Sequence, residues 1–396
     1  MSDTAAAHAR NSTIGIIPGT SSVVRVEYRN AVEAVDELIQ PPDTDEFLVP
    51  GFVDLQVNGF AGVDYNDPHS SPQAIARSIR TMFSTGVARF FPTVITGSEE
   101  RITGAVRNLR ASKEEMHRSG MPEGHAIEAF HVEGPHISPE TGPRGAHPLE
   151  QIRPPDIEEF RRWQDAADGY VRLVTVSPEW DQTPAYVREL VRSGVVASIG
   201  HTKASRDQIR AAVDAGATMS THLGNAAHAI LPKTQNYIWE QLAEDRLTAS
   251  FIVDGIHIPG SFFRAAVRAK GVERAVLVTD AVMPAMCAPG PYKLGQVDVE
   301  LHENGSVTLV GNDRLAGSAL RMDHAIGNSI RLAGVSLREA LAMATINPAR
   351  VARIAGRQRG FAPGEKADLV RFRWNEAEQS LQVIQTVVAG ATVFSA

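Results

Sequence analysis

The stretch Phe130-His131-Val132-Glu133-Gly134-Pro135 ends an apolar, strand-like run on a carboxylate. Three later segments have the same form and end on a histidine or an aspartate: Gly200-His201-Thr202, Thr221-His222-Leu223-Gly224-Asn225-Ala226 and Val278-Thr279-Asp280-Ala281. Each segment therefore offers, at the end of an apolar run, a group that binds a metal ion or moves a proton. Parallel strands of one barrel would bring all four ends to the same face.

Eight apolar runs of this kind recur through the middle of the chain, with helical stretches between them. The runs cover residues 51–57, 88–95, 126–133, 171–176, 195–201, 217–223, 248–253 and 274–279. Helices are predicted at 71–85, 99–117, 156–166, 183–193, 205–215, 238–245, 261–269, 322–332 and 337–350. Apolar strands that alternate with amphipathic helices indicate an α/β fold with a parallel sheet. Eight units without a glycine-rich dinucleotide-binding motif favour a closed (β/α)8 barrel over an open sheet.

Both ends of the chain are rich in short strands instead. Strands are predicted at 12–17, 22–28 and 47–57 near the start, and at 368–373, 381–388 and 391–394 near the end. Residues 31–39 are predicted to form a short helix. The simplest arrangement pairs the two ends into a small β-sandwich domain of residues 1–50 and 358–396, beside a barrel domain of residues 51–357.

Composition excludes several classes of protein. The 396 residues are 43% hydrophobic, which suffices for a sizeable core, and the net charge of −7 argues against nucleic acid as a partner. The single cysteine, Cys287, excludes an intramolecular disulfide and is typical of a reducing compartment. Residues 1–11 lack the apolar centre of a signal peptide and are expected to be loose, and no apolar run is long enough to cross a membrane. We therefore expect a cytoplasmic protein.

The four strand ends are best explained as a catalytic metal site. A carboxylate such as Glu133 is costly to bury unless it is paired or binds a cation, and a structural salt bridge is the alternative. A lone His201 or His222 would more often be a hydrogen-bonded core residue, but two on consecutive strands favour a metal. Asp280 on the eighth strand is expected to be a general base, although a cap of the following turn is the alternative.

The first strand argues for one metal ion rather than two. Many metal hydrolases carry His-x-His at its end, whereas this chain has Gln56 and Asn58. Amides are poor zinc ligands, so a second metal beside the first is disfavoured. His257 ends the seventh strand, either as part of the site or as a structural hydrogen-bonding group.

These residues resemble the N-acetylglucosamine-6-phosphate deacetylases of the amidohydrolase superfamily. The most specific part is His-x-Glu-Gly-Pro together with Thr-His-Leu-x-Asn-Ala. The similarity extends over nearly the whole chain, through Pro50-Gly51-Phe52-Val53-Asp54, Leu315-Ala316-Gly317-Ser318-Ala319-Leu320, Asn347-Pro348-Ala349 and Pro363-Gly364-Glu365-Lys366-Ala367-Asp368-Leu369. The pair Gln56 and Asn58 resembles the branch that holds a single metal.

The resemblance implies roles for individual residues. Glu133, His201 and His222 would hold one divalent metal ion, with zinc expected and iron, cobalt or manganese as alternatives. Asp280 would be the acid and base, and His147 would polarise the acetamide carbonyl. The residues implied to bind the sugar phosphate are Ala146, Asn225, Ala226, Lys233, Asp254, His257, Leu315, Ala316 and Gly317. A homodimer is also implied, with a neighbouring subunit that reaches the phosphate pocket.

One segment, residues 227–235, departs from the family pattern. The family usually has an arginine there that grips the phosphate, and Lys233 stands in its place. Lysine binds phosphate as a point charge without the bidentate fork of arginine. The expected reaction is hydrolysis of N-acetylglucosamine 6-phosphate to glucosamine 6-phosphate and acetate, in amino-sugar catabolism. The alternatives are an N-acetyl sugar with no phosphate or a different one, another amidohydrolase-superfamily amidase, and a non-catalytic scaffold.

Overall fold

The computed structural model describes residues 10–294 and 297–396. Of the start expected to be loose, residues 1–11, residues 1–9 lie outside the described residues, and Asn11 is the first residue of a strand. The centre of the fold is an eight-stranded parallel sheet in which the strands follow one another in chain order. The strands are β1 (Phe52–Val57), β2 (Val87–Ile95), β3 (Phe130–Glu133), β4 (Val171–Val176), β5 (Val196–Ile199), β6 (Met219–Ser220), β7 (Thr248–Phe251) and β8 (Ala275–Leu277). Beyond β8, Ala281 pairs in parallel with Val57, and this pairing closes the sheet into the predicted barrel.

Helices surround the barrel close to the predicted positions. They cover Pro72–Phe83, Glu99–Arg118, Glu123–Ala126, Ile157–Ala167, Thr183–Arg192, Arg206–Asp214, Tyr237–Ala243, Gly260–Lys270, Met322–Ala333, Leu337–Ala344 and Ile346–Val351, with single 3-10 turns at Leu149–Gln151 and Val272–Arg274. Side-chain caps fix several of their starts, such as Ser71 and the capping box of Ser205 with Gln208. The helix predicted at 337–350 is two helices, because Thr345 (φ −126°, ψ −78°) leaves helical geometry.

Several barrel strands are shorter than the apolar runs that predict them. In the run 126–133 only Phe130–Glu133 is strand, since Glu123–Ala126 forms one helical turn. Strand β6 has two residues and stops before His222, where the backbone turns out of the sheet. Apolar character marks burial in these segments, and burial continues past the last ladder hydrogen bond.

The terminal segments form a second, mainly antiparallel sheet. Its seven strands, in spatial order, are Ala391–Ser395, Ser380–Val388, Leu369–Asn375, Glu46–Pro50, Asn11–Ile16, Val23–Tyr28 and Val32–Glu37. The short helix predicted at 31–39 is wrong, because Val32–Glu37 pairs antiparallel with Val23–Tyr28 as an edge strand. Buried residues from both termini, including Val26 and Leu369, form a small core of their own.

The second sheet is tied to the barrel by packing and by buried charge. Val370 and Phe372 belong to the same hydrophobic core as the barrel strands. Arg89 on β2 makes a bidentate ion pair with Asp368, at 2.8 and 2.9 Å, in a region almost closed to solvent. The domain boundaries proposed at residues 50/51 and 357/358 stay a prediction.

An insertion that the sequence did not predict follows β8. It is a four-stranded antiparallel sheet of Gly290–Leu294, Val297–Leu301, Ser306–Leu309 and Leu315–Ser318. Its own core includes Val299 and Val307. A bridge from Ser318 to Ala281 attaches its last strand to the end of the barrel, which brings residues 315–317 to the face where the strands end. In the described ranges no helix is long and apolar enough to span a bilayer.

Candidate active site

A cavity of about 990 Å³ opens where the barrel strands end at their carboxyl termini. Four of the residues that line it are the four strand-end groups singled out in the sequence, namely Glu133, His201, His222 and Asp280. All four are buried, with at most 7% of their surface exposed. The structure therefore brings together the residues that the sequence places at the ends of four different strands.

Three of these side chains converge on one point. Oε1 of Glu133 lies 3.1 Å from Nε2 of His201 and 2.8 Å from Nε2 of His222, and the two nitrogens lie 3.2 Å apart. Nδ1 of His201 donates to the carbonyl oxygen of Pro143 at 2.9 Å. That bond leaves a lone pair on Nε2 directed at the shared point. Nδ1 of His222 has no hydrogen-bond partner within the described residues.

The triangle fits a metal ion. Ligand atoms about 2.0–2.1 Å from a tetrahedral zinc ion lie about 3.3 Å from one another, close to the distances in this cluster. Burial disfavours a charged imidazole at His222, yet the hydrogen bond and the negative charge of Glu133 outweigh burial and raise its pKa. The cluster thus favours positive charge, and a divalent cation satisfies its three ligand atoms at once. A second cluster with metal-ligand spacing shares two of these residues and includes His147 in place of His222.

Backbone geometry aims three of the four groups. His201, His222 and Asp280 have φ values of +47°, +28° and +51°, a left-handed conformation that residues other than glycine rarely adopt. Each is the point at which the chain leaves its barrel strand and turns across the end of the barrel. Strained backbone conformations of this kind are common at functional sites, where the surrounding structure maintains them.

Gln56 and Asn58, at the end of β1, hold the carboxylates of Glu133 and Asp280 by hydrogen bonds. The Nε2 group of Gln56 donates to Oε1 of Glu133 and to Oδ1 of Asp280, both at 3.0 Å. Nδ2 of Asn58 donates to the same Oδ1 at 2.6 Å. The side-chain hydrogen bonds of Asp280 all reach Oδ1, which leaves Oδ2 without a partner in the described chain.

The environment of Asp280 suits a proton acceptor that later gives the proton back. Burial first, and then the nearby negative charge of Glu133, raise the pKa of Asp280 to about 6. Its backbone is clamped by neighbours: its amide donates to the carbonyl oxygen of Gln56 at 2.9 Å, and its carbonyl accepts from Ser318 at 3.0 Å. Thr279, just before it, is bonded to the buried carboxylate of Asp54 through both its hydroxyl (2.6 Å) and its amide (3.2 Å).

His147 lies beside the cluster of Glu133, His201 and His222. Its ring packs edge-on against His201 with the ring centroids 4.5 Å apart, and its Nδ1 lies 2.7 Å from Oγ1 of Thr96. Burial lowers the pKa of His147 to about 3, so the ring is neutral at physiological pH. If the Thr96 hydroxyl donates to Nδ1 rather than to the backbone carbonyl oxygen of Glu133, which lies 3.5 Å away, His147 keeps an Nε2–H group that can donate toward the cavity.

Most of the predicted substrate-binding residues line the cavity. They are Ala146, Asn225, Ala226, His257, Leu315, Ala316 and Gly317. Asp254 does not line it: its carboxylate accepts from Nδ1 of His257 at 2.6 Å, and so orients a residue that does. Lys233 is exposed and does not line it either, so within one subunit the structure does not bring this lysine to the cavity. No lysine occurs among the described residues that line the cavity.

Sequence reasoning missed several residues that hold the site in place. Glu179 accepts hydrogen bonds from Ser138, Ser177 and the amide of Lys203, and so links the loops after β3, β4 and β5. Its position directly after Ser177-Pro178 at the end of β4 was the available signal. Arg314 also lines the cavity, but nothing in the sequence around it indicates this, because it belongs to the unpredicted insertion.

Comparisons with known proteins agree with this architecture. The sequence profile of the amidohydrolase family matches residues 47–393, so the chain belongs to the amidohydrolase family. It is 31% identical to the N-acetylglucosamine-6-phosphate deacetylase of Bacillus subtilis (strain 168), over 97% of this chain and 93% of the relative. It is 30% identical to the N-acetylgalactosamine-6-phosphate deacetylase of Escherichia coli O157:H7, over 86% of this chain and 87% of the relative.

A solved structure is similar over the same length. The N-acetyl-D-glucosamine-6-phosphate deacetylase of Mycobacterium smegmatis, a mutant in complex with N-acetyl-D-glucosamine-6-phosphate, superposes with a TM-score of 0.86 at 30% identity. The superposition covers 98% of this chain and 100% of the other. The family resemblance and the barrel with its additional sheet, both predicted from the sequence, are confirmed.

Proposed function

We propose that this protein hydrolyses the acetamide group of N-acetylglucosamine 6-phosphate to acetate and glucosamine 6-phosphate, as a step of amino-sugar catabolism. The observation that carries the proposal is the convergence of Glu133, His201 and His222 on one point, with Asp280 hydrogen-bonded to the same Gln56 amide as Glu133. Three metal ligands and an adjacent proton acceptor are the groups that metal-assisted hydrolysis of an amide uses. The relatives named above, which cover most of the chain, support the same chemistry.

The proposed cofactor is one divalent metal ion, zinc by the chemistry of the ligand set, held by Glu133, His201 and His222. Such an ion would supply Lewis acidity, which makes water a competent nucleophile near neutral pH and polarises a carbonyl oxygen. The hydrogen bonds that Gln56 makes to Glu133 and Asp280 hold the two carboxylates at a fixed distance. We propose a single ion because the Gln56 and Asn58 amides stand where a second set of ligands would be needed.

The remaining steps belong to the protein's own side chains. Asp280 accepts a proton from the attacking water as the new C–O bond forms at the acetamide carbon. His147, neutral and with Nδ1 against Thr96, donates from Nε2 to the carbonyl oxygen as negative charge develops there. Asp280 then gives its proton to the nitrogen of the sugar as the C–N bond breaks, and acetate and the free amine leave.

The sugar and its phosphate would lie in the outer part of the cavity. Asn225, Ala226, His257 and the segment Leu315–Gly317 are proposed to contact them. The second candidate substrate is N-acetylgalactosamine 6-phosphate, because the relative from Escherichia coli O157:H7 is a deacetylase of that sugar at a similar identity. An N-acetyl sugar without phosphate remains the third.

We propose a cytoplasmic homodimer. Residues 227–236 carry the exposed Lys233 and also Ile230, of which 89% is exposed, and Trp239 just beyond is 53% exposed. We propose that a partner subunit covers this segment and buries the two apolar side chains together. In such a dimer Lys233 would act on the cavity of the neighbouring subunit. Light scattering on the purified protein tests this, and a monomer at all concentrations would contradict it.

The test of function is a deacetylation assay on metal-replete protein. We expect turnover of N-acetylglucosamine 6-phosphate to exceed that of N-acetylgalactosamine 6-phosphate and of free N-acetylglucosamine. A preference for the galacto sugar would move the proposal to the second candidate. Acetate release from none of the three, in protein that holds its metal, would overturn it.

A further inference from the structure

Two arginines, Arg101 and Arg314, contribute the permanent positive charge of the cavity lining. Neither has an ion-pair partner among the described residues. The other cationic candidates in the lining are imidazoles. Lys233, to which the family resemblance assigned phosphate binding, lies outside the lining. A phosphate dianion that enters this cavity within one subunit therefore meets guanidinium groups first.

The backbone of Arg314 is held firmly while its side chain keeps most of its donors free. It ends a tight turn in the insertion, where its amide donates to Oδ1 of Asn312 at 2.8 Å and its carbonyl accepts from Leu309 at 2.9 Å. Nη1 donates to the carbonyl oxygen of Gly145 at 3.3 Å. A guanidinium has five N–H donors, so this one bond, the one its side chain makes in the described structure, leaves the rest available to a ligand.

The contact with Gly145 places the guanidinium beside the proposed sugar-phosphate pocket. A Cβ atom added to Gly145 would lie 3.3 Å from Cε1 of His201 and 3.8 Å from Cβ of Ala226. Gly145 therefore lies between His201 and the Asn225-Ala226 loop, where a larger residue would contact both. Arg314 reaches over this glycine from the insertion, on the side of the cavity where the sugar phosphate is proposed to bind.

We infer that Arg314 binds the phosphate group of the substrate within the same subunit and sets the preference for a phosphorylated sugar. The inference rests on the proposed function and identifies a residue of its substrate site. Arginine presents two parallel donors that match two phosphate oxygens, which a lysine cannot do. Asp313 lines the cavity next to Arg314, and its negative charge opposes an anion there. Removing that charge strengthens phosphate binding if the phosphate lies at Arg314.

The test compares three variants with matched chemistry: Arg314→Gln, Arg101→Gln as the second cavity arginine, and Asp313→Asn. The ratio of kcat/KM for N-acetylglucosamine 6-phosphate to that for N-acetylglucosamine is measured for each. We expect Arg314→Gln to lower the ratio by roughly 10- to 100-fold, the range for a lost charged hydrogen bond. Arg101→Gln should change the ratio much less, and Asp313→Asn should raise it.

A binding measurement separates this inference from the proposed function. Glucose 6-phosphate and glucose carry no acetamide, so their affinity by titration calorimetry does not depend on deacetylation. If the wild-type protein deacetylates no N-acetyl sugar but binds glucose 6-phosphate in an Arg314-dependent manner, the proposed function fails and the phosphate site stands. If Arg314→Gln leaves both the kcat/KM ratio and glucose 6-phosphate affinity unchanged, or if Arg101→Gln alone abolishes them, the inference is overturned.

Discussion

Nε2 of His201 and Nε2 of His222 lie 3.2 Å apart in a buried site, and both face the same oxygen of Glu133. Two imidazole nitrogens cannot face each other at this distance with both lone pairs unshared, so a proton or a cation must lie between them. We expect the purified protein to hold one divalent ion per chain. Elemental analysis after dialysis measures this, and two tightly held ions would contradict the role assigned to Gln56 and Asn58.

Replacement of His222 tests whether this residue is a ligand of the metal ion. His222→Ala removes one of three ligand atoms, so we expect the ion to be lost on dialysis and deacetylation to fall to background. His69→Ala, on an exposed histidine outside the cavity, is the matched control and should retain metal and activity. Circular dichroism checks that both variants are folded. Retention of a full equivalent of metal by folded His222→Ala would refute the assignment.

Asp280 should be needed for turnover but not for binding of the metal ion. Asp280→Asn keeps the size of the side chain but removes its ability to accept a proton from water. We expect kcat to fall by about 10²–10⁴-fold, the range for loss of a general base, with metal content unchanged. Steady-state kinetics and elemental analysis on the same preparation measure both quantities. Full activity in this variant would exclude Asp280 as the base.

Gln56 links the proposed metal ligand Glu133 to the proposed base Asp280, so its loss should affect both metal binding and turnover. Gln56→Ala removes the donor shared by Glu133 and Asp280 and leaves the two carboxylates free to move. We expect about 10- to 100-fold weaker metal binding or activity, as for other residues that orient metal ligands. Metal affinity by competition with a chelator, together with kcat, measures the effect. Unchanged values for both would show that Glu133 and Asp280 are oriented by other contacts.

The residues of the site could be predicted because their signal is local. Glu133, His201, His222 and Asp280 each follow an apolar run, and the parallel arrangement of the runs is what brings them together. The left-handed conformation of three of them was not predictable, since it results from how the chain turns over the end of the barrel.

The errors arise where structure depends on distant partners. Residues 31–39 have helix-forming Glu and Ala between their valines, but Val32–Glu37 lies beside Val23–Tyr28 and takes its hydrogen bonds. The insertion was missed because its strands are short and partly exposed, so they lack a continuous apolar run. The sequence position of Lys233 does not determine whether its side chain lies in the cavity or on the surface. Arg314 reaches the cavity only because that insertion folds back on the end of the barrel.

The ion pair between Arg89 and Asp368 should make stability depend on pH. Burial opposes ionisation of Asp368, but the charges of Arg89 and Arg357 outweigh it and hold its pKa below the usual value. A folded-state pKa below that of the unfolded chain (about 3.9) means that this stabilisation is complete above pH 4 and is lost as the pH falls further. Asp368→Asn should cost about 3–5 kcal/mol at pH 7 by leaving the arginines unpaired, and Arg89→Met in addition should restore part of it. Urea unfolding at pH 7 and at pH 3 measures the free energy of unfolding of both proteins. If wild type and Asp368→Asn differ by the same free energy at the two pH values, the ion pair is not the source of the pH dependence.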